Sequence, residues 1–162
     1  MIKLIEQINI NAEINTIWNY LIDFSQSLNY NRFHTSLELP PNYSLGKLKK
    51  FIINHNFGFG NYKMVAEIKY YAPPTIISIA EYCAEDPKKG FPHTVEYQIK
   101  PNSDNNKLHY KVVGTYGGRV QDISFRPILK GVMIEELIKI KHAVESSELS
   151  PESLDSKTIK SI

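Results

Sequence analysis

Cysteine is all but missing from this chain: Cys83 is the only one. No intrachain disulfide can form, and zinc sites built from several cysteines are excluded. A lone thiol is most often buried core, and it gives no sign of nucleophilic chemistry. Long apolar runs are lacking too, since no stretch approaches the roughly 20 residues of a membrane-crossing helix. The first residues, Met1-Ile2-Lys3-Leu4-Ile5-Glu6, alternate apolar and polar instead of forming the apolar core of a signal peptide. The expectation is a cytoplasmic protein with no integral membrane association. Charge of one sign is also lacking, with a formal net charge of only +2. The densest basic cluster, Lys47, Lys49 and Lys50, would divide between the two faces of a strand. It reads as a lysine-guarded sheet edge and not as a one-sided nucleic-acid patch, so no nucleic-acid partner is expected.

Several chemical motifs are absent as well. His34, His55, His93, His109 and His142 fall in separate segments with no His-Glu-x-x-His spacing, so neither a metal nor a cofactor is expected. Gly58-Phe59-Gly60 lacks the third glycine and following helix of a dinucleotide site and reads as a hairpin turn. There is no Gly-x-Ser-x-Gly elbow.

What is present is a clear change of period along the chain. Residues 2–10 read as a strand with Ile2, Leu4, Ile8 and Ile10 on one face. Ile14, Ile17, Trp18 and Leu21 follow at helical spacing, with Asn11 as the expected cap. Residues 25–33 form a second short helix or an irregular turn. From residue 36 the period falls to two, giving strands at 36–39, 47–55, 61–70, 75–83, 93–100 and 107–116. Short Gly-, Pro- and Asn-rich connections such as Ala72-Pro73-Pro74 separate them, so neighbouring strands should pair as an antiparallel meander. A long helix is expected over about 125–145, capped by Ser124, with Pro127 in its first turn and Ile128, Val132, Leu137, Ile138 and Val144 on its apolar side. Residues 1–146 form a single domain on this reading. Residues 147–162 form a polar tail expected to be disordered. A long sheet curled around one helix should leave a cavity between them.

The chain resembles the START-like, or SRPBCC, superfamily. The resemblance rests on Ile10-Asn11-Ala12 with Ile17-Trp18 and Asp23-Phe24, on Tyr30-Asn31-Arg32-Phe33, on Tyr71-Ala72-Pro73-Pro74, and on Leu137-Ile138-Lys139-Ile140-Lys141 with Glu145. Glu13 stands where a proline is common, and Tyr30 and Arg32 replace the usual Trp and Pro. The resemblance implies an α+β helix-grip fold: a curved antiparallel sheet of about seven strands wrapped around a long C-terminal helix, with one or two short helices after strand one. It implies binding of a small hydrophobic ligand, such as a polyketide, lipid or quinone, in the central cavity, sometimes with chemistry on it.

Alternation proposes the cavity lining: Phe51 and His55, then Tyr62, Met64, Ala66 and Tyr70, then His93, Val95 and Tyr97, then Tyr110, Val112 and Tyr116, with Ile128 and Val132 from the helix. Tyrosines on such a face suit a mostly apolar ligand with a few oxygens, although they fill a solid core equally well. For catalysis, His93 and Tyr97 would act as acid/base groups on different parts of one ligand; Arg119 either holds a carboxylate or polarises a carbonyl, or is an ordinary solvated loop arginine. Glu96 is expected to face solvent, and so is Glu81, although the 75–83 strand that carries it is apolar on both faces and alternation does not orient it. Three functions remain open: a binding module, a cyclase/aromatase-type enzyme, and an interaction or regulatory protein. A monomer or a homodimer is equally compatible with each.

Overall fold

The periods read from the sequence correspond to real elements in the computed structural model, which describes residues 1–41, 50–58 and 60–148. The order is β1 (Ile2–Ile10), α1 (Ile14–Ile22), α2 (Phe24–Ser27), a 3-10 turn (Leu28–Tyr30), β2 (His34–Glu38), β3 (Lys50–Asn56), β4 (Asn61–Ala72), β5 (Ile76–Cys83), β6 (His93–Pro101), β7 (Asn106–Gly114) and α3 (Arg119–Glu148). Lys47, Lys49 and Phe59, and the tail from residue 149 onward, lie outside the described residues.

The strands form one seven-stranded sheet in the order β1-β7-β6-β5-β4-β3-β2, every neighbour antiparallel. Strands β2 to β7 form the meander that the short connections require. The first strand then closes onto the last, from Ile2↔Gly114 to Ile10↔Asn106. The inward stripe of α1, Ile17, Trp18 and Leu21, is buried, and Phe24 stacks on Phe51 at 4.9 Å between ring centroids. This is the helix-grip architecture. α3 runs alongside β1 in the same direction, tied by Lys130 to Glu6, by Lys141 Nζ to the Asn9 carbonyl and by Glu145 accepting from the Asn11 N–H. That last bond occupies Asn11 differently from the expected cap, and α1 begins from Glu13 instead.

Three other expectations change. β4 carries a bulge between Ile68 and Tyr70, which flips the alternation beyond it. Tyr70 therefore points outward, while Tyr71 turns in and packs on Trp18 at 5.5 Å. α3 begins at Arg119, six residues before Phe125, so Ser124 is not its cap. The reason lies in Asp122: its carboxylate accepts from the Tyr116 N–H at 2.7 Å and from the Thr115 hydroxyl at 3.0 Å, folding the preceding turn onto the helix start. Pro127 thus sits inside α3, on its exposed side, where water can meet the carbonyl that proline leaves without a partner. Finally, the buried stripe of α3 runs through Phe125, Leu129, Val132, Met133, Glu136, Leu137, Ile140 and Val144. Ile128 and Ile138 lie off it, both exposed.

Two glycines separate packing from tolerance. A Cβ on Gly114 would sit 2.5 Å from His93 Cβ and 2.7 Å from the Pro92 carbonyl oxygen, whereas one on Gly131 would meet nothing within 4 Å. Gly114→Ala should destabilise the fold by about 1–3 kcal/mol through overpacking. Gly131→Ala should stabilise it by about 1 kcal/mol through helix propensity. Urea denaturation midpoints moving in opposite directions would verify the pair.

Candidate functional site

Among the described residues, the inward side of the sheet is mostly apolar and carries two buried polar groups of residues. The first is centred on Glu136, on the buried stripe of α3 and 1% exposed. Tyr97 of β6 and Tyr110 of β7 are directly paired across the sheet, their rings stacked at 4.6 Å. The Tyr97 hydroxyl donates to Glu136 Oε1, and the Tyr110 hydroxyl donates to Oε2 at 3.2 Å. Asn31 Nδ2 completes the set at 3.0 Å from Oε2; its amide is oriented by accepting the Phe33 N–H on Oδ1. Burial raises the Glu136 carboxyl from its ordinary 4.5 to about 7, although all three donors favour the charged form. A carboxyl in that range can both give and take a proton near neutrality.

The second group joins four strands. Glu81 of β5 faces inward at 3% exposure, not outward as the sequence led us to expect. β5 is apolar on both faces, so alternation could not orient it. His55 of β3 reaches Glu81 over the intervening β4, with Nε2 2.8 Å from Oε2, and His93 of β6, its cross-strand partner, lies 3.7 Å away. His34 of β2 meets the His55 ring edge-on at 4.5 Å. Burial, reinforced by His55, pushes His34 down to about 4, and burial lowers His93 as well. Against the upward pull of its own burial, Glu81 is held down to about 2 by His93 and His55. One ligand atom from each of His34, His55 and Glu81 lies within 4.8 Å of the others, so separate positions in the chain do not keep these residues apart.

Beside the second group, whose His55 and His93 rings stack on Phe57 and Phe91, is an open cleft of about 510 Å³. Phe57 after β3, Tyr62 of β4 and Tyr116 after β7 supply one wall. Gln121, Ser124, Phe125 and Ile128 of α3 supply the other, and Lys88, Lys89 and Gly90 of the β5–β6 connection form the rim. Gly90 adopts φ 67°, and a Cβ there would stand 3.2 Å from the Tyr62 ring. A side chain at this position would be both strained and crowded. The Tyr116 ring stacks on Phe91 at 4.5 Å and meets Phe125 edge-on at 4.1 Å. Its buried hydroxyl has no hydrogen-bond partner among the described residues.

The sequence-derived site residues therefore divide. Tyr62, Tyr116 and Ile128 line the cleft. Phe51, Met64, Ala66, Val95, Val112 and Val132 are closed into the core, at most 7% exposed, and do not border it. Tyr97 and Tyr110 bind Glu136, while His55 and His93 surround Glu81. Arg119 is exposed and lines a different groove, with Ile2, Ile123 and Arg126, so it does not reach the cleft. Sequence reasoning missed Asn31, Glu81, Phe57, Phe91 and Glu136. Only Glu136 left a readable signal, an acidic residue at helical spacing between Met133 and Ile140.

No family model matches the chain, and no curated protein sequence matches it. Solved structures do resemble it. A conserved protein from Geobacillus kaustophilus superposes with a TM-score of 0.69 at 16% identity, over 90% of this chain and 97% of the other. The di-domain ARO/CYC protein StfQ from the steffimycin biosynthetic pathway gives a TM-score of 0.69 at 13% identity, over 91% of this chain and 52% of StfQ. DynU16, from the dynemicin biosynthetic locus, gives 0.62 at 13% identity, over 90% and 48%. The likeness is one of fold. Among the described residues, no helix is long and apolar enough to cross a membrane.

The raised carboxyl has a consequence for stability. A carboxyl whose folded value lies above its unfolded one stabilises the fold fully below about pH 4.5 and loses that contribution as pH rises through about 7. The loss is on the order of 3 kcal/mol. Glu136→Gln should remove this slope, so the variant should gain on wild type in melting temperature between about pH 5 and about pH 8.5. Parallel pH dependences for the two proteins would show that Glu136 is ionised throughout.

Proposed function

We propose that the protein binds a small, mostly apolar molecule with an anionic or carbonyl end in the cleft between the β-hairpin tips and the first turns of α3. The observation that carries this reading is the aromatic wall of Phe57, Tyr62, Tyr116 and Phe125. The volume falls within the range of small-molecule sites, and the combination of apolar walls with few polar groups is their usual composition. Lys88 and Lys89, exposed at the rim, suit the polar end of such a ligand. Likeness of fold to proteins of two biosynthetic pathways supports trying polyketide-like molecules ahead of lipids and quinones.

An enzymatic version, of cyclase or dehydratase type, draws on a separate observation: the Glu136 carboxyl, poised near neutrality beside Tyr97. In that version Glu136 and Tyr97 move the proton, and Arg119 takes no part. The aromatic layer has to part for substrate to reach them. Glu136→Gln would then keep ligand affinity and lower turnover by about a hundredfold or more; equal turnover would reject it.

Ser124 is an exposed helix residue on the cleft wall, so Ser124→Trp fills the cleft without entering the core. Native mass spectrometry of the purified wild type should show a non-covalent small-molecule adduct. Fluorescence titration with an anionic anilinonaphthalene probe should saturate. Ser124→Trp should lose the adduct and weaken the probe at least about tenfold. Unchanged binding in the variant would place the ligand elsewhere.

A further inference from the structure

The floor of the cleft has a hidden side. His55 stacks under Phe57 at 4.9 Å and His93 under Phe91 at 4.7 Å, so the imidazoles and Glu81 lie sealed beneath aromatic rings. Hydrogen bonding fixes how two of these rings are held. His34 Nδ1 lies 2.7 Å from the Leu28 carbonyl oxygen, and His93 Nδ1 lies 2.6 Å from that of Phe91. A carbonyl only accepts, so each Nδ1 carries a proton, and each neutral ring keeps its lone pair on Nε2. A backbone carbonyl on the far nitrogen is also the usual outer support of a metal-ligating histidine.

The inward nitrogens therefore face a group that also offers only lone pairs. His93 Nε2 stands 3.7 Å from Glu81 Oε2, two acceptors facing one another. Both ring nitrogens of His55 and Oε2 of Glu81 have no aligned hydrogen-bond partner among the described residues, despite the 2.8 Å approach of Nε2 to Oε2. His55 and Glu81 are 2% and 3% exposed. Buried acceptors converging in this way call for a shared positive charge.

We propose that His34, His55 and Glu81 form a binding site for a divalent transition-metal cation of the zinc class, with His93 as a fourth donor. Imidazole nitrogens with one carboxylate suit zinc or cobalt, whereas calcium and magnesium require oxygen-rich sites. Tetrahedral ligands at about 2.0–2.2 Å from an ion lie roughly 3.3 Å apart. Among His34, His55 and Glu81, the His55–Glu81 pair has to open by about half an ångström and no pair has to close by more than about 1.5 Å, shifts of the size that side-chain rotation supplies. His93, 3.7 Å from Glu81, has to swing in to complete the set. The rival occupant is a single proton shared between His55 and Glu81. The site is independent of whether a ligand binds the cleft above it.

The test uses the full chain, stripped with a chelator and titrated with Co²⁺. One equivalent per chain should produce the visible absorption of tetrahedral cobalt, and one equivalent of Zn²⁺ should abolish it and raise the melting temperature. His34→Gln, on the edge strand, and Glu81→Gln should each weaken Co²⁺ at least about a hundredfold. His109→Gln and His142→Gln, outside the cluster, should leave it unchanged. Wild type that shows no saturable spectrum overturns the proposal in favour of the shared proton. So does a spectrum that survives His34→Gln and Glu81→Gln at full affinity. The wild-type titration decides even if a variant fails to fold.

Discussion

A single carboxyl, that of Glu136, sets how α3 sits in the sheet. Donors converge on it from β6, from β7 and from the segment after the 3-10 turn. Leaving any of them unmet inside the core would cost about 1–3 kcal/mol, so the rotation of α3 about its own axis and its distance from Tyr97 and Tyr110 are fixed together. The apolar stripe of α3 would tolerate small slips along the sheet; the carboxyl does not. Burial prevails over the three donors in setting its proton affinity, which leaves the group near neutrality. The negative charge of Glu81 adds to the same upward shift, so the two polar groups of the interior act on one another electrostatically.

With α3 held there, its first turns project past the aromatic layer. The helix begins at Arg119 because Asp122 ties it to Thr115 and Tyr116, and this early start is what creates the cleft. Gln121 and Ser124 stand on its wall only because the helix is already formed when it passes them. A helix starting at Phe125 would leave Phe125 and Ile128 as the whole of the second wall. The cleft is therefore a product of a helix cap, a glycine that lets the β5–β6 connection approach Tyr62, and a layer of stacked rings. This end of the domain is arranged in depth: cleft, aromatic floor, and the imidazoles with Glu81 below.

The period of each element was legible in the sequence because one face of every strand and helix meets the core. The meander followed from short Gly- and Pro-rich connections. Local departures were not legible. The bulge that turns Tyr70 out and Tyr71 in has no signature in the residues around it. Pro127 resembles a first-turn proline, and only the Asp122 contacts reveal that the helix has already begun. The tyrosines Tyr97 and Tyr110 were recognisable as inward groups needing partners, yet the partner lies 39 and 26 residues away along the chain. His34, His55, Glu81 and His93 come from four strands, and sheet order, not sequence spacing, unites them. The predicted lining was legible as an inward face, but an inward face fills a core as readily as it borders a pocket. Only Tyr62, Tyr116 and Ile128 do the latter.

The measurement closest to the central claim, that the cleft is where the ligand binds, is amide chemical-shift mapping by NMR during titration with an aromatic carboxylic acid. The account predicts saturable shifts centred on Gly90, Tyr116, Gln121 and Ser124, with the amides around Arg119 and Arg126 on the other groove shifting little. Shifts concentrated at that other groove, or none that saturate, would contradict it.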